Sequence, residues 1–154
     1  MKIAVASDHA GYHLKKHIKD YLTEQNIAHE DFGTDSTESV DYPDFALAAA
    51  EAVASGDCTL GIICCGTGIG VAISAGKVPG IRAARCHDTY SARMCRQHND
   101  ANVLAMGERV IGFGPAIDTV EAFLKAEYAG GRHACRVDKI KEIEEKYCGD
   151  SGPR

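Results

Sequence analysis

No stretch of this chain approaches the ~18 to 20 uninterrupted apolar residues that cross a bilayer, and the opening MKIAVASDHAG meets an acid and a histidine too early for a secretory leader. A soluble, cytoplasmic protein with no membrane partner is the expectation. A basic excess is missing too: the net charge is −5, which argues against a surface built to neutralise a nucleic-acid backbone. Any anionic ligand must then be held by a local cluster. Linkers, low-complexity stretches and internal repeats are absent, so the 154 residues make one domain with a full core. Nor do the cysteines form a disulfide framework. Their number, seven, is odd and their spacing irregular, so reduced thiols are expected.

What the chain does have is alternation. KIAVAS is a short, partly β-branched run ending at Asp8 and reads as a buried strand. GYHLKKHIKDYLTEQ follows with Leu14, Ile18, Tyr21 and Leu22 at helical spacing beside a lysine-rich face. IAHEDFG then leads through a polar loop to an alanine-rich helix from about Asp44 to Ala54. CTLGIICC precedes IGVAISAGK, GIRAARC precedes DTYSARMCRQHN, and ANVLAMG precedes GPAIDTVEAFLKAEY. VDKIKEIEEKYC, with Val137, Ile140, Ile143 and Tyr147 on one face, is a last amphipathic helix. Five βα units in a row imply an α/β domain, a Rossmann-like three-layer sandwich around a five-stranded parallel sheet. It spans residues 1–148, with 149–154 a flexible tail. In such a sheet ligands bind beyond the carboxyl ends of the strands, which directs attention to SDHAG, CCGTGIG, CHDTY and MGERVIG.

The segment GIICCGTGIGVAIS carries Gly66, Gly68 and Gly70 at even spacing. A dinucleotide fingerprint needs a glycine where Val71 stands, and a P-loop needs a lysine that is absent, so neither nucleotide motif is met. Two readings remain, an anion cradle of backbone N–H groups or a tight strand-to-helix turn. Cys65, at the end of a strand and just before a helix start, is placed to act as nucleophile or base. Strand alternation points Cys64 the other way, into the core.

His9, His13 and His17 recur every fourth residue, but without Cys-x-x-Cys or His-Glu-x-x-His no metal site is expected, and His13 and His17 belong on the exposed flank of the first helix. His98 and Asn99 end the fourth helix, where a histidine is also favoured electrostatically. Arg132 and Arg136, one turn apart, make either a fork for phosphate or a solvated basic face.

IAVASDHAG, DYPDFA, CGTGIG, GIRAA, SARMCRQHNDANVLAMGERV and GGRHACRV, taken in this order over nearly the whole chain, resemble the type B ribose-5-phosphate isomerases, a family that also holds isomerases of galactose 6-phosphate and allose 6-phosphate. The resemblance implies interconversion of ribose 5-phosphate and ribulose 5-phosphate with no metal or coenzyme. It implies Cys65 as the base moving a proton between C1 and C2, and the loop Gly66, Thr67, Gly68, Ile69, Gly70 as the anion hole for the enediolate. The resemblance further implies that His98 opens the furanose ring with Thr67 assisting, that Asp8, His9 and Asn99 hold sugar hydroxyls, His9 also reaching phosphate, and that Arg109, Arg132 and Arg136 bind the phosphate. One branch of the family replaces the cysteine by a glutamate slightly downstream; here no acid lies between Gly66 and Arg85. Members are homodimers, sometimes paired into tetramers, whose sites are completed by the partner chain, with residues near Tyr42 and in GGRHACRV as the contributors. The alternative substrate is a hexose phosphate such as allose 6-phosphate. Outside the family, the alternative is a nucleotide-binding or thiol-based regulatory module.

Overall fold

The five expected strands are present as β1 (Lys2–Ser7), β2 (Ala28–Asp31), β3 (Leu60–Cys65), β4 (Ala83–Arg85) and β5 (Val103–Gly107), joined by α1 (Tyr12–Glu24), α2 (Tyr42–Ala54), α3 (Ile69–Ala75), α4 (Thr89–Asn99) and α5 (Phe113–Lys125), and followed by α6 (Ala134–Cys148). The computed structural model describes residues 1–148; the expected tail 149–154 lies outside the described residues. All four strand pairings are parallel, and the order across the sheet is β2-β1-β3-β5-β4.

Two cores mark the faces of the sheet. On one side α1, α4 and α5 bury Leu14, Ile18, Leu22, Ala92, Ala116, Val120 and Phe123 against Ile3, Val5, Ile62 and Leu104. On the other, α2 and α3 bury Ala46, Ala49, Ala50, Val53, Val71 and Ala75 against Ala4, Ala6, Ile63 and Ala105. The small alanines let α2 lie close to the sheet. The period of two in β3 divides the adjacent thiols as expected, Cys64 into the first core and Cys65 into the second. Burial raises the Cys64 thiol pKa far above its ordinary value, as suits a small core hydrophobe. All seven cysteines are free. Among the described residues no helix is long and apolar enough to cross a membrane.

Three departures from the sequence reading have local causes. Helix α2 begins at Tyr42 rather than Asp44, because Pro43 is accommodated in its first turn. Strand β4, at the sheet edge, keeps only three ladder residues. In α6 only Val137 is buried, while Ile140, Ile143 and Tyr147 are exposed, so most of the apolar face foreseen there stays open although Glu144 Oε2 accepts the Gly80 N–H at 2.9 Å.

Candidate active site

The chain leaves β1 toward β2 and returns on the other side of β1 as β3. A crevice at such a reversal, beyond the strands' carboxyl ends, is where open α/β sheets take ligands. The turns that flank it carry Asp8, His9 and Cys65 to Gly70.

Asp8 is buried, and its Oδ1 accepts the N–H groups of Ala10 (2.9 Å) and Gly11 (3.0 Å), starting the 3-10 turn His9–Gly11 that feeds α1. Both bonds fall on Oδ1, which leaves Oδ2 for a ligand. His9 is half-buried, and its Nδ1 accepts the Val40 N–H at 3.2 Å. With Nδ1 accepting, the other ring nitrogen, Nε2, is left as a donor that has no acceptor among the described residues.

Cys65 is buried, and its Sγ accepts the N–H of Gly68 at 3.0 Å. The loop around it is fixed through its carbonyls. That of Cys65 accepts from Glu108 N–H (2.9 Å), that of Gly66 from Arg109 N–H (3.1 Å) and that of Gly68 from Ala72 N–H (3.4 Å). The Thr67 carbonyl accepts from Arg85 Nε (2.7 Å). The Ile69 N–H is taken by Thr67 Oγ1 (3.3 Å), while those of Thr67 and Gly70 have no acceptor among the described residues. A loop with its carbonyls engaged and N–H groups to spare offers a ligand donors, the requirement of a developing oxyanion. The Ile69 side chain is half exposed and contributes only backbone to this arrangement.

Gly68 has φ +76°, and a methyl there would stand 2.8 Å from the Met106 carbonyl carbon. Strain in the left-handed region and this collision together predict that Gly68→Ala lowers stability by about 2 kcal/mol or more. Urea unfolding checks this, and a loss below ~0.5 kcal/mol would mean that the loop is not held against β5.

Arg109 lies beside the loop, its Cδ and Nε 3.5 Å from where a methyl on Gly66 would be. Tyr42 stands beside the loop of its own chain, its ring 2.7 Å from where a methyl on Gly70 would be. The early start of α2 puts it over the first turn of α3.

The other expected residues are elsewhere. Helix α4 starts near the carboxyl ends of the strands, where His87 Nε2 accepts the Gly107 N–H (2.9 Å), and runs back along the sheet. His98 and Asn99 therefore end at the amino edge, just before β5 begins. Val103 pairs with Gly61 at that edge and Gly107 with Cys65 at the other, a separation of four strand residues or about 13 Å. Asp100, left-handed at φ 48°, braces this corner through Arg82 (2.8 Å) and Arg96 (3.3 Å). His98 stacks on His133, centroids 4.2 Å apart and planes 7° from parallel. Burial, then the neighbouring His98, Arg132 and Arg136, hold the buried His133 below the ordinary imidazole range. Arg132 and Arg136 flank it, exposed. One chain thus gathers Asp8, His9, Tyr42, Cys65 to Gly70 and Arg109 at one edge, and His98, Asn99, Arg132 and Arg136 at the other.

His13 and His17 are exposed, His17 stacked on Phe113 at 4.0 Å. Sequence reasoning missed Arg85, which reaches the glycine loop, and Glu108, whose Oε2 accepts the Leu14 N–H (2.8 Å) at the start of α1. It also missed His133. Glu108 stood in a loop already singled out, and a histidine between two arginines was a signal for His133. For Arg85 no signal existed.

A parallel α/β sheet with a thiol and a donor-rich loop at its switch point is a Rossmann-like fold with a ligand crevice. Residues 3–140 match the model of the Ribose/Galactose Isomerase family, and the chain belongs to that family of isomerases. It is similar to ribose-5-phosphate isomerase B of Clostridium thermocellum, with 60% identity, 96% of this chain and 99% of that one covered, and a TM-score of 0.94. It is 49% identical to ribose-5-phosphate isomerase B of Escherichia coli (strain K12), over 94% of this chain and 97% of the relative. It is 46% identical to D-erythrulose-4-phosphate isomerase of Pectobacterium atrosepticum, over 94% and 95%.

Proposed function

We propose that the chain interconverts ribose 5-phosphate and ribulose 5-phosphate through an enediolate, with no metal or coenzyme. The observation that carries the reading is the Cys65 sulfur at 3.0 Å from the Gly68 N–H, inside a loop whose carbonyls are all engaged. A hydrogen on carbon beside a carbonyl is removed only with a positioned base and stabilisation of the oxygen that becomes charged. Cys65 takes the proton from C2 of the open-chain aldose and returns it to C1, while the loop N–H groups hold the carbonyl oxygen as it becomes an enediolate. The O2 proton passes to O1 to complete the ketose. Asp8 Oδ2 and His9 Nε2 take sugar hydroxyls.

The remaining roles come from a second copy. His98 of that copy opens the furanose, with Thr67 assisting from the first chain; Asn99 holds a hydroxyl, and Arg132 and Arg136 join Arg109 on the phosphate. Two features support a homodimer with shared sites. The required groups lie at opposite edges of one chain, and Ile69, Ile73, Ile140, Ile143 and Tyr147 leave apolar surface exposed on α3 and α6, as a covered interface needs. Replacing Arg132 or Arg136 by alanine is expected to raise KM for the sugar phosphate by about 10- to 100-fold with kcat changed only a few-fold. An unchanged KM in steady-state assays would move the phosphate clamp elsewhere.

The relative acting on a four-carbon sugar phosphate motivates a second reading of substrate length, and a hexose phosphate is a third. The test is turnover on ribose 5-phosphate, D-erythrulose 4-phosphate and allose 6-phosphate side by side. We expect kcat/KM to favour the pentose by roughly tenfold or more, and a clear preference for either other sugar would replace it as the substrate.

A further inference from the structure

We propose that Arg85 is a positioning residue for the reaction: by holding the Thr67 carbonyl it aims the opposite end of the same peptide unit, the Gly68 N–H, at the Cys65 sulfur. The two contacts are independent and lie on the two sides of one peptide plane, Arg85 Nε to Thr67 O at 2.7 Å and Gly68 N to Cys65 Sγ at 3.0 Å. The carbonyl and N–H of a trans peptide point in opposite directions, so fixing one fixes the other.

This peptide needs an anchor. Gly68 is free of the steric limits that hold other residues to one orientation, and a flip of the 67–68 unit would turn a carbonyl toward the sulfur in place of a donor. The carbonyls of Cys65 and Gly66 are held by backbone N–H groups from the turn after β5 and that of Gly68 by the Ala72 N–H of α3, whereas that of Thr67 is held by a side chain from β4 at the sheet edge, with β5 between it and β3. The Thr67 carbonyl lies over Gly107, where a methyl would stand 2.7 Å from its oxygen, so it sits above the end of β5, the strand next to β4, within reach of Arg85 Nε. Arg85 is exposed and has no carboxylate partner among the salt bridges of the described residues. A charged donor on the carbonyl also polarises the peptide and strengthens the N–H that faces the sulfur.

The inference rests on Cys65 as the base, and its test separates the two. Arg85→Ala and Arg85→Gln are assayed on ribose 5-phosphate, and the iodoacetamide alkylation rate of Cys65 is followed by peptide-resolved mass spectrometry without substrate. Glutamine places Nε2 as many bonds from Cα as arginine places Nε, so it keeps the donor and removes the charge. The alanine variant is expected to lose about 10- to 30-fold in kcat with KM within about twofold, and to slow Cys65 alkylation by a similar factor. The glutamine variant is expected to recover most of both, and if the alanine variant does not fold, the glutamine variant against wild type reads the smaller losses. A raised KM at constant kcat would make Arg85 a substrate ligand and overturn the proposal, as would unchanged kcat and alkylation together. Slowed alkylation at unchanged kcat would instead remove Cys65 from the role of base.

Discussion

Cys65→Ala is expected to lower kcat for ribose 5-phosphate by about 10³-fold or more while the protein still folds, because a positioned general base contributes typically ~10² to 10⁴. The substitution removes one small buried side chain, and its cost to stability is expected to stay near ~1 kcal/mol. Cys64→Ala is the internal control. It deletes the same sulfur from the adjacent residue, on the opposite face of β3 and among Val5, Leu14 and Met106, so it should match Cys65→Ala in stability and keep most of the activity. The comparison requires coupled-assay kinetics and thermal unfolding of both variants. Equal losses of activity would remove the distinction between the two thiols.

The second large effect is a recovery. Cys65→Ala and His98→Ala should each be nearly inactive as homodimers. In a mixed dimer, one site draws Cys65 from the His98→Ala chain and His98 from the Cys65→Ala chain, and is whole; the other site lacks both. Random reassortment makes half the dimers mixed with one good site in each, so refolding an equal mixture should restore about one quarter of wild-type activity. If mixing restores nothing while both variants stay dimeric, His98 serves the site of its own chain. The roughly 13 Å between the two edges of the sheet would then have to be spanned by some rearrangement of α4.

Part of this arrangement is legible in the order of the residues. The alternation of Leu60, Ile62 and Cys64 against Ile63 and Cys65 is a property of strand geometry, so the two thiols could be separated without coordinates. The turns after β1 and β3 followed from the βα repeat. The distance between Cys65 and His98 did not, because it depends on strand order. β5 inserts between β3 and β4, and α4 carries its last residues to the far edge, a long-range pairing with no local signature. The contact of Tyr42 with Gly70 was not legible either, since it depends on α2 starting two residues earlier than the alanine pattern suggested. Arg85 reads in sequence as an ordinary charged strand end. Only the folded sheet shows that its side chain passes over β5 to the loop.

The engaged carbonyls of Cys65 to Gly68 bear on how the protein responds to heat. A site that assembles around its ligand loses activity when local segments loosen, well below the melting temperature. Here the donors are stitched to the turn after β5, to β4 and to α3, so they are set in place during folding and little remains to reorganise as charge moves. Loosening the loop would mean breaking the sheet that it sits on. Activity and global structure should therefore fail together on warming, and the melting curve would also be the inactivation curve.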